Sequence, residues 1–367
     1  IKNIDKDKLY EFLREMEFNR LLSSVISQYG EPKLKEKDTP SLKGKEISSI
    51  DRTKYKLLNK LEDIDNWLKD AEEKGELCID TETTSLDPHL AELVGISLST
   101  DIGKACYIPL KHNGKDVLDA NKVIQKIKPI LEDKSIKKIG QNIKFDYIIF
   151  YHRGIIINSM EDTMLMSYVL DAGKNRHNMD TLSELHLGHK TISYKDLVGS
   201  GKKQLTFDQV EIKKATEYAA EDADVTFRLY KLLKKNLIRE KLENIYELFE
   251  KPLIKILANM EIQGVKVDDK FLNILSKKFE KKISSIEDKI YKISKKKFNI
   301  ASTKQLGEIM YQDLKIASLK KTKKGSYATS ASVLEDLAFK GNEFPKLILE
   351  WRQISKLKNT YSDSLQE

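Results

Sequence analysis

A short apolar run, Leu77-Cys78-Ile79, ends in two carboxylates one residue apart, Asp80 and Glu82. An apolar run of this length predicts a buried strand. Side chains at positions i and i+2 of a strand share one face, so Asp80 and Glu82 point the same way. Two like charges placed in this way repel each other unless a cation lies between them. The pair therefore indicates a hard-metal site, with a solvated strand end before a turn as the alternative.

Two further segments place acids on predicted helices. Asp146 ends the segment GQNIKFD at residues 140–146, which opens a stretch with helical spacing. Tyr218 and Asp222 are four positions apart within a long helical pattern over about residues 207–242, so they share one helix face. An Asp in a first turn is commonly a helix cap, and a Tyr above an Asp is commonly surface packing. Neither segment alone defines a site.

In chain order, the strand carboxylate pair, the helix-start Asp and the helical Tyr-x-x-x-Asp resemble the DEDD exonuclease superfamily in its tyrosine-bearing branch. Residues 218–226 (YAAEDADVT), 162–164 (DTM) and the region 190–207 look like the proofreading domain of family A DNA polymerases, the bacterial DNA polymerase I type. Residues 302–306 (STKQL) and 351–361 (WRQISKLKNTY) are similar to the thumb of the same polymerases. The resemblance covers roughly residue 55 to the end.

This resemblance implies an α/β fold: a ribonuclease-H-like exonuclease domain with a mixed sheet flanked by helices, followed by a mainly helical thumb-like region. The hydrophobic pattern predicts strands over 77–80, 93–98 and 105–109, preceded by a helix through Leu57, Leu61, Ile64 and Leu68, and a later helix over 271–297. We expect four regions: a helical connector (1–29), a linker (30–54), the 3′→5′ exonuclease domain (55–245) and a thumb-like start of a polymerase domain (246–367).

The resemblance also implies the chemistry. Oxygen-only ligands favour Mg²⁺ or Mn²⁺, and two such ions would serve phosphodiester hydrolysis. Asp80 would bridge both ions, Glu82 and Asp222 would complete the first site, and Asp146 would support the second. Tyr218 would orient the attacking water with Glu82, because its ordinary pKa of ~10 makes it a poor base at neutral pH.

Further residues match the family's contacts to the substrate. Stacking and backbone contacts suit a site that must accept any terminal base. Leu86 matches a wedge between the last two bases, Tyr194 an aromatic residue that packs on the 3′ end, and Asn142 a polar contact to the strand. Arg352 and Lys356, in the thumb-like segment, complete the predicted substrate-binding set.

The positive charge is unevenly distributed. Residues 251–367 carry 24 Lys and Arg against 14 Asp and Glu, whereas the rest of the chain carries 41 against 43. A nuclease region that gathers acids for metals, beside a basic region that holds the phosphate backbone, would divide charge in this way. For any single run, such as Lys295–Lys297, a solubilising helix face is the alternative.

Other sequence signals narrow the class of protein. No apolar run approaches the ~20 residues of a membrane span. Cys78 and Cys106 lie in apolar strand-like stretches and predict buried free thiols in a reducing compartment. His186 and His189 suggest a ligand pair, but a helix end at Gly188 explains them more simply. A Gly-rich phosphate loop and a Ser-His-Asp set do not stand out.

We therefore predict a metal-dependent proofreading 3′→5′ exodeoxyribonuclease that releases nucleoside 5′-monophosphates. Nothing resembles the palm carboxylates, the nucleotide-binding helix of the fingers or a 5′ nuclease, so we expect no DNA extension by this polypeptide alone. A ribonuclease-D-type RNA exonuclease and a non-catalytic DNA-binding scaffold stay open as alternatives. The expected partners are a single-stranded 3′ end and primer-template DNA, and we expect no membrane contact. We expect a monomer, located in the cytoplasm near the nucleoid or in an organelle.

Overall fold

A computed structural model describes residues 5–16, 18–30, 49–201, 204–316 and 327–366. Its contacts divide the chain into two compact units, Ile1–Gln263 and Gly264–Glu367. In the described ranges, no helix is both long enough and apolar enough to cross a bilayer.

The first unit begins with two short helices, α1 (Lys6–Glu15) and α2 (Asn19–Tyr29), where the apolar spacing predicts a helical pair. The Tyr10 hydroxyl donates to the carbonyl of Gly30 at 2.6 Å. Most of the predicted linker, residues 31–48, lies outside the described residues. Its last residues, Arg52–Lys54, form a 3₁₀ turn capped by Asp51, whose side chain accepts from the amide of Thr53.

The sheet region of the first unit has eight described strands. They are β1 (Lys56–Leu57), β2 (Glu76–Thr83), β3 (Leu93–Asp101), β4 (Lys104–Pro109), β5 (Lys111–His112), β6 (Lys115–Asp116), β7 (Lys137–Gly140) and β8 (Met160–Asp162). Six of them form a mixed sheet in the spatial order β1-β4-β3-β2-β7-β8. Strand β3 is antiparallel to both β2 and β4, whereas the β1–β4, β2–β7 and β7–β8 pairs are parallel. A separate hairpin pairs β5 with β6.

Helices cover both faces of this sheet. They are α3 (Asp63–Lys74), α4 (Ala120–Glu132), α5 (Ile143–Tyr151), α6 (Thr163–Asp171), α7 (Met179–Leu182), α8 (Tyr194–Val198), α9 (Ile212–Arg239), α10 (Glu243–Ile245) and α11 (Lys251–Gln263). Shorter 3₁₀ and π-helical turns connect several of them. Alternation along β2 places Leu77 and Ile79 in a core with residues of α3, α4 and α5, and Cys78 in a second core with residues of α9.

The second unit is helical in its described residues, apart from one bridge residue at Tyr327. Its core gathers Ile286 and Ile290 of the long helix with Leu334, Leu347 and Ile348 of the later ones. The helices are α12 (Asp269–Ser294), α13 (Thr303–Glu308), α14 (Ala331–Phe339) and α15 (Glu343–Lys356), continued by π-helical turns after α13 and α15. The predicted fold class, a mixed sheet flanked by helices and then a mainly helical region, is confirmed.

One element prediction is wrong. Leu57, Leu61, Ile64 and Leu68 do not form a single helix, because the chain is a short strand at Leu57 and turns helical only from Asp63. Leu57 pairs with Tyr107 of β4, so the backbone there forms an edge strand of the sheet. The spacing of four apolar residues does not reveal such a partner, since it lies 50 residues away in sequence. The buried free thiols of Cys78 and Cys106 are confirmed.

Candidate active site

Strand β2 presents Asp80 and Glu82 on the face that α9 covers. Both lie on the same face of the strand as Cys78, which packs into the core formed with α9. Glu82 lies opposite Gly95 of β3. A Cβ atom at Gly95 would lie 2.1 Å from the Tyr107 hydroxyl oxygen, so only glycine leaves room for this buried ring beside Glu82.

Helix α9 brings a third acid to the same place. The carboxylates of Asp80, Glu82 and Asp222 each offer an oxygen, and these oxygens lie within 4.8 Å of one another. Glu82 and Asp222 are buried and Asp80 is half-buried. Oε1 of Glu82 and Oδ1 of Asp222 are buried with no hydrogen-bond partner. Buried carboxylate oxygens are normally satisfied, so these two atoms indicate a ligand that the protein itself does not supply.

The raised pKa values of these three acids also indicate a ligand that the protein does not supply. Burial raises the pKa of Asp80 to about 7. Burial, and then the charge of Asp80, raise the pKa of Glu82 and of Asp222 well above the ordinary range. Proximity and shared burial thus make the simultaneous ionisation of all three acids costly. A divalent cation removes that cost, and the all-oxygen ligand set is the one that hard divalent ions prefer.

Asp146 approaches from the other side of β2. It lies in the first turn of α5, as the helical spacing predicts, and is buried. Strand β7 pairs with β2 only as far as Cys78, so the amide of Thr81 is free to donate to Asp146 Oδ1 at 3.0 Å. The Thr81 hydroxyl donates to the same oxygen at 2.6 Å. Burial and the Asp80 charge raise the pKa of Asp146, which places it next to the cluster but outside the group of three.

Tyr218 lies one helical turn before Asp222 and is half-buried. Burial, followed by the charges of Asp222, Glu82 and Asp80, raises the pKa of its hydroxyl. Its ring packs against Phe207 with centroids 6.0 Å apart and against Tyr194 at 6.1 Å. The hydroxyl is therefore held near all three carboxylates and stays protonated at neutral pH.

Three of the predicted substrate-binding residues occupy exposed positions in the first unit. Leu86, in the turn after β2, is 94% exposed, and Tyr194, the first residue of α8, is 41% exposed. Burial and then the Glu82 charge raise the pKa of Tyr194, so its hydroxyl lies in the field of the cluster. Asn142 is exposed and precedes α5 in the left-handed conformation, with φ +59°.

The other two predicted residues belong to the second unit. Arg352 and Lys356 lie on α15, where Nη1 of Arg352 donates to the carbonyl of Thr329 at 2.8 Å. Their roles stay predictions.

Sequence patterns do not predict several of the residues that organise the site. Asp162, within the DTM segment, accepts from the amides of Asn142 and Ile143 and from those of Met164 and Leu165, so it caps α5 and α6 together. An Asp before a helix signals one cap, but nothing in the sequence signals the second. His189 contacts Glu221, and the described residues contain no group of three or more possible metal ligands that includes a histidine.

Known families match both parts of the chain. The profile of a family described as 3′-5′ exonuclease matches residues 55–238, half of the chain, and that of DNA polymerase family A matches residues 269–367. The chain belongs to the family A DNA polymerases. The resemblance inferred from the motifs is thus confirmed, and a 3′-5′ exonuclease domain implies the use of divalent metal ions.

Relatives of this family A chain include longer proteins named DNA polymerase I. It is 45% identical to DNA polymerase I of Rhizobium leguminosarum, with 86% of this chain and 33% of the relative covered. It is 39% identical to DNA polymerase I of Pseudomonas aeruginosa, with 99% and 40% covered. The chain thus spans about a third to two-fifths of these curated relatives.

A solved structure supports the fold. The POL domain of Pol1 from M. smegmatis, in complex with DNA primer-template and dNTP, is similar with a TM-score of 0.69 and 22% identity. The likeness covers 85% of this chain and 50% of that chain.

Proposed function

We propose that this family A chain is a proofreading 3′→5′ exodeoxyribonuclease that releases nucleoside 5′-monophosphates from the 3′ end of DNA. The observation that carries the proposal is the group of Asp80, Glu82 and Asp222, in which two buried carboxylate oxygens have no protein partner. Its position inside the segment that matches the 3′-5′ exonuclease family supports the assignment.

Asp80, Glu82 and Asp222 would hold one divalent cation, and Asp80 with Asp146 would hold a second. Bound Mg²⁺ or Mn²⁺ ions would supply charge neutralisation at the phosphoryl oxygens and an activated water. Thr81 fixes one oxygen of Asp146 through two hydrogen bonds, which leaves its other oxygen to act towards Asp80. The number and identity of the ions belong to the proposal.

Tyr218 would position the attacking water as a hydrogen-bond donor or acceptor, with Glu82 as the second contact. Its raised pKa rules out the phenolate at neutral pH, so it is not the base in this scheme. Rigid packing against Phe207 fixes the direction of the hydroxyl.

The substrate end would be held without reading its sequence. Leu86 is positioned to wedge between the last two bases, Tyr194 to pack on the 3′ end and Asn142 to contact the strand. Arg352 and Lys356 would contact primer-template DNA. The same proposal assigns residues 55–245 to the nuclease and 246–367 to the thumb-like region, in a monomer that works in the bacterial cytoplasm.

The test uses a 5′-labelled single-stranded DNA and a matched RNA with the purified chain. We expect Mg²⁺- or Mn²⁺-dependent shortening from the 3′ end, faster on DNA, and its loss in the double variant Asp80→Ala/Glu82→Ala. A matched control is Asp63→Ala/Asp65→Ala, an exposed acid pair of the same spacing in the first turn of α3, which should leave the rate unchanged.

Undiminished digestion by the Asp80→Ala/Glu82→Ala variant would reject the assignment. Faster digestion of RNA would favour a ribonuclease-D-type activity. Binding of DNA without any metal-dependent digestion would favour the scaffold alternative.

A further inference from the structure

The acid next to Asp222 on α9, Glu221, is fully buried and points away from the carboxylate group. Its Oε1 accepts from Nε of Arg52 at 2.7 Å and from Nε2 of His189 at 2.8 Å. Nη2 of Arg52 lies 2.7 Å from the same oxygen in an ion pair. Its Oε2 accepts from the backbone amide of Ile192 at 2.8 Å. We call these four residues, Arg52, His189, Ile192 and Glu221, the Glu221 cluster.

The Glu221 cluster joins three stretches that are distant in sequence. Arg52 comes from the 3₁₀ turn before the sheet, and its Nη2 also donates to the carbonyl of Lys190 at 3.3 Å. His189 and Ile192 belong to the segment that leads into α8. Arg52 thus bonds both to the acid on α9 and to the backbone of the segment that this acid holds.

Two residues beyond Ile192 is Tyr194, whose ring meets that of Tyr218 with centroids 6.1 Å apart. Segment 189–192 therefore sets where Tyr194 stands relative to Tyr218 and to the carboxylates. The segment has other anchors: the Thr191 hydroxyl donates to Asp180 at 2.6 Å, and the Ser183 hydroxyl donates to the carbonyl of His189 at 2.9 Å. Loss of Arg52 should therefore loosen the approach to Tyr194 without unfolding the segment.

We propose that Glu221 is a positioning residue that, through Arg52, His189 and the Ile192 amide, holds Tyr194 where the 3′ end of the substrate packs. This inference rests on the proposed nuclease function. Buried carboxylates bonded to several donors impose a fixed geometry, since each bond lost leaves an oxygen of the buried carboxylate without a partner. An arginine bound through two nitrogens adds directional precision that a lysine lacks.

The experiment measures KM and kcat for single-stranded DNA together with Mn²⁺ affinity. We expect Arg52→Ala and Glu221→Gln each to raise KM about fivefold, a size typical of residues coupled through shared contacts. The kcat and the Mn²⁺ affinity should stay within about twofold of the wild type, because the carboxylate group is untouched. Arg52→Lys should give an intermediate KM. The matched control is Arg239→Ala, an exposed arginine near the end of the same helix.

A double-mutant cycle with Tyr194→Ala separates positioning from general stability. If the Glu221 cluster acts through Tyr194, Arg52→Ala should add no further increase in KM once Tyr194 is alanine. An equal increase in both backgrounds, an unchanged KM in Arg52→Ala, or a loss of Mn²⁺ affinity in Glu221→Gln would each overturn the inference.

Hydrogen exchange of the metal-free protein tests the same contact without any activity. The amide of Ile192 and those of the following turn should exchange faster in Arg52→Ala than in the wild type or Arg239→Ala. Unchanged exchange would overturn the inference even if the nuclease assay succeeds. A wild-type chain without 3′→5′ digestion would instead reject the proposed function, whatever the exchange result.

Discussion

Three acids within four residues of α9 differ sharply in what surrounds them. Glu221 accepts three hydrogen bonds, from Arg52, His189 and Ile192, and forms an ion pair with Arg52. Asp224 accepts three, from the Tyr55 hydroxyl, the Gly103 amide and Nε of Arg228. Asp222, between them, has one buried oxygen with no partner and two further carboxylates as neighbours.

All three side chains are buried, so burial does not distinguish the structural acids from the functional one. The hydrogen-bond donors around each carboxylate do distinguish them. Where the protein supplies every donor, as for Glu221 and Asp224, the carboxylate ties elements together. Where donors are missing and like charges converge, the folded chain carries an unfavourable arrangement. Such arrangements are typical of sites that a ligand completes.

Asp222 and Asp224 should differ most when each is changed to Asn. Asp222→Asn should reduce 3′→5′ digestion by at least about a thousandfold, since it removes a ligand on which the metal-assisted chemistry depends, and it should not lower the metal-free Tm. Asp224→Asn should keep activity per folded molecule but cost about 3 kcal/mol, because it breaks a buried pair with Arg228. That cost corresponds to a Tm roughly 6 to 12 °C lower.

Activity assays and thermal melts of the two variants check this prediction. Similar losses of activity and of Tm in both would erase the distinction between the two acids. Asp→Asn is the same chemical change at both positions, so each variant serves as the control for the other.

The next effect concerns the hydroxyl beside Asp222. Tyr218→Phe should lower kcat about 10- to 100-fold, which corresponds to the loss of one hydrogen bond to a group that carries charge in the transition state. The aromatic packing against Phe207 and Tyr194 is retained in this variant, so KM and Mn²⁺ affinity should change little. Single-turnover digestion at saturating DNA measures the effect. A kcat equal to that of the wild type would remove Tyr218 from the mechanism.

The smallest effect is on stability as a function of pH. Burial raises the pKa of Asp80 to about 7 from an ordinary value of 3.8, and the pKa values of Glu82 and Asp222 also rise. Between about pH 4 and 7 the folded chain thus binds more protons than the unfolded chain, so its stability falls as pH rises through this window. The metal-free Tm should fall by a few degrees from pH 5 to pH 8.

Saturating Mg²⁺ should reduce this fall, because the cation replaces the bound protons. The variant Asp80→Asn/Glu82→Gln should show a flatter profile and a higher metal-free Tm than the wild type at pH 8. A metal-free Tm that instead rises between pH 5 and pH 8, equally in wild type and variant, would show that repulsion among these acids is absent.

The sequence predicts the site better than it predicts what supports the site. Periodicity places three acids on defined faces of a strand and a helix, so they could be predicted as site residues: Asp80, Glu82 and Asp222. The structure brings those faces together. The Glu221 cluster and the double cap by Asp162 could not be predicted. They depend on contacts such as Arg52 with Glu221, 169 residues apart, which no local pattern encodes. For the same reason the apolar spacing around Leu57 predicts a helix where the chain forms a strand.

Whether the acid group binds a divalent cation is decided by calorimetry of Mn²⁺ with the metal-free chain. We expect saturable binding to the wild type and to Asp224→Asn, and its loss in Asp80→Asn/Glu82→Gln. Equal binding to the wild type and to Asp80→Asn/Glu82→Gln, or no saturable binding to the wild type at millimolar Mn²⁺, would contradict it.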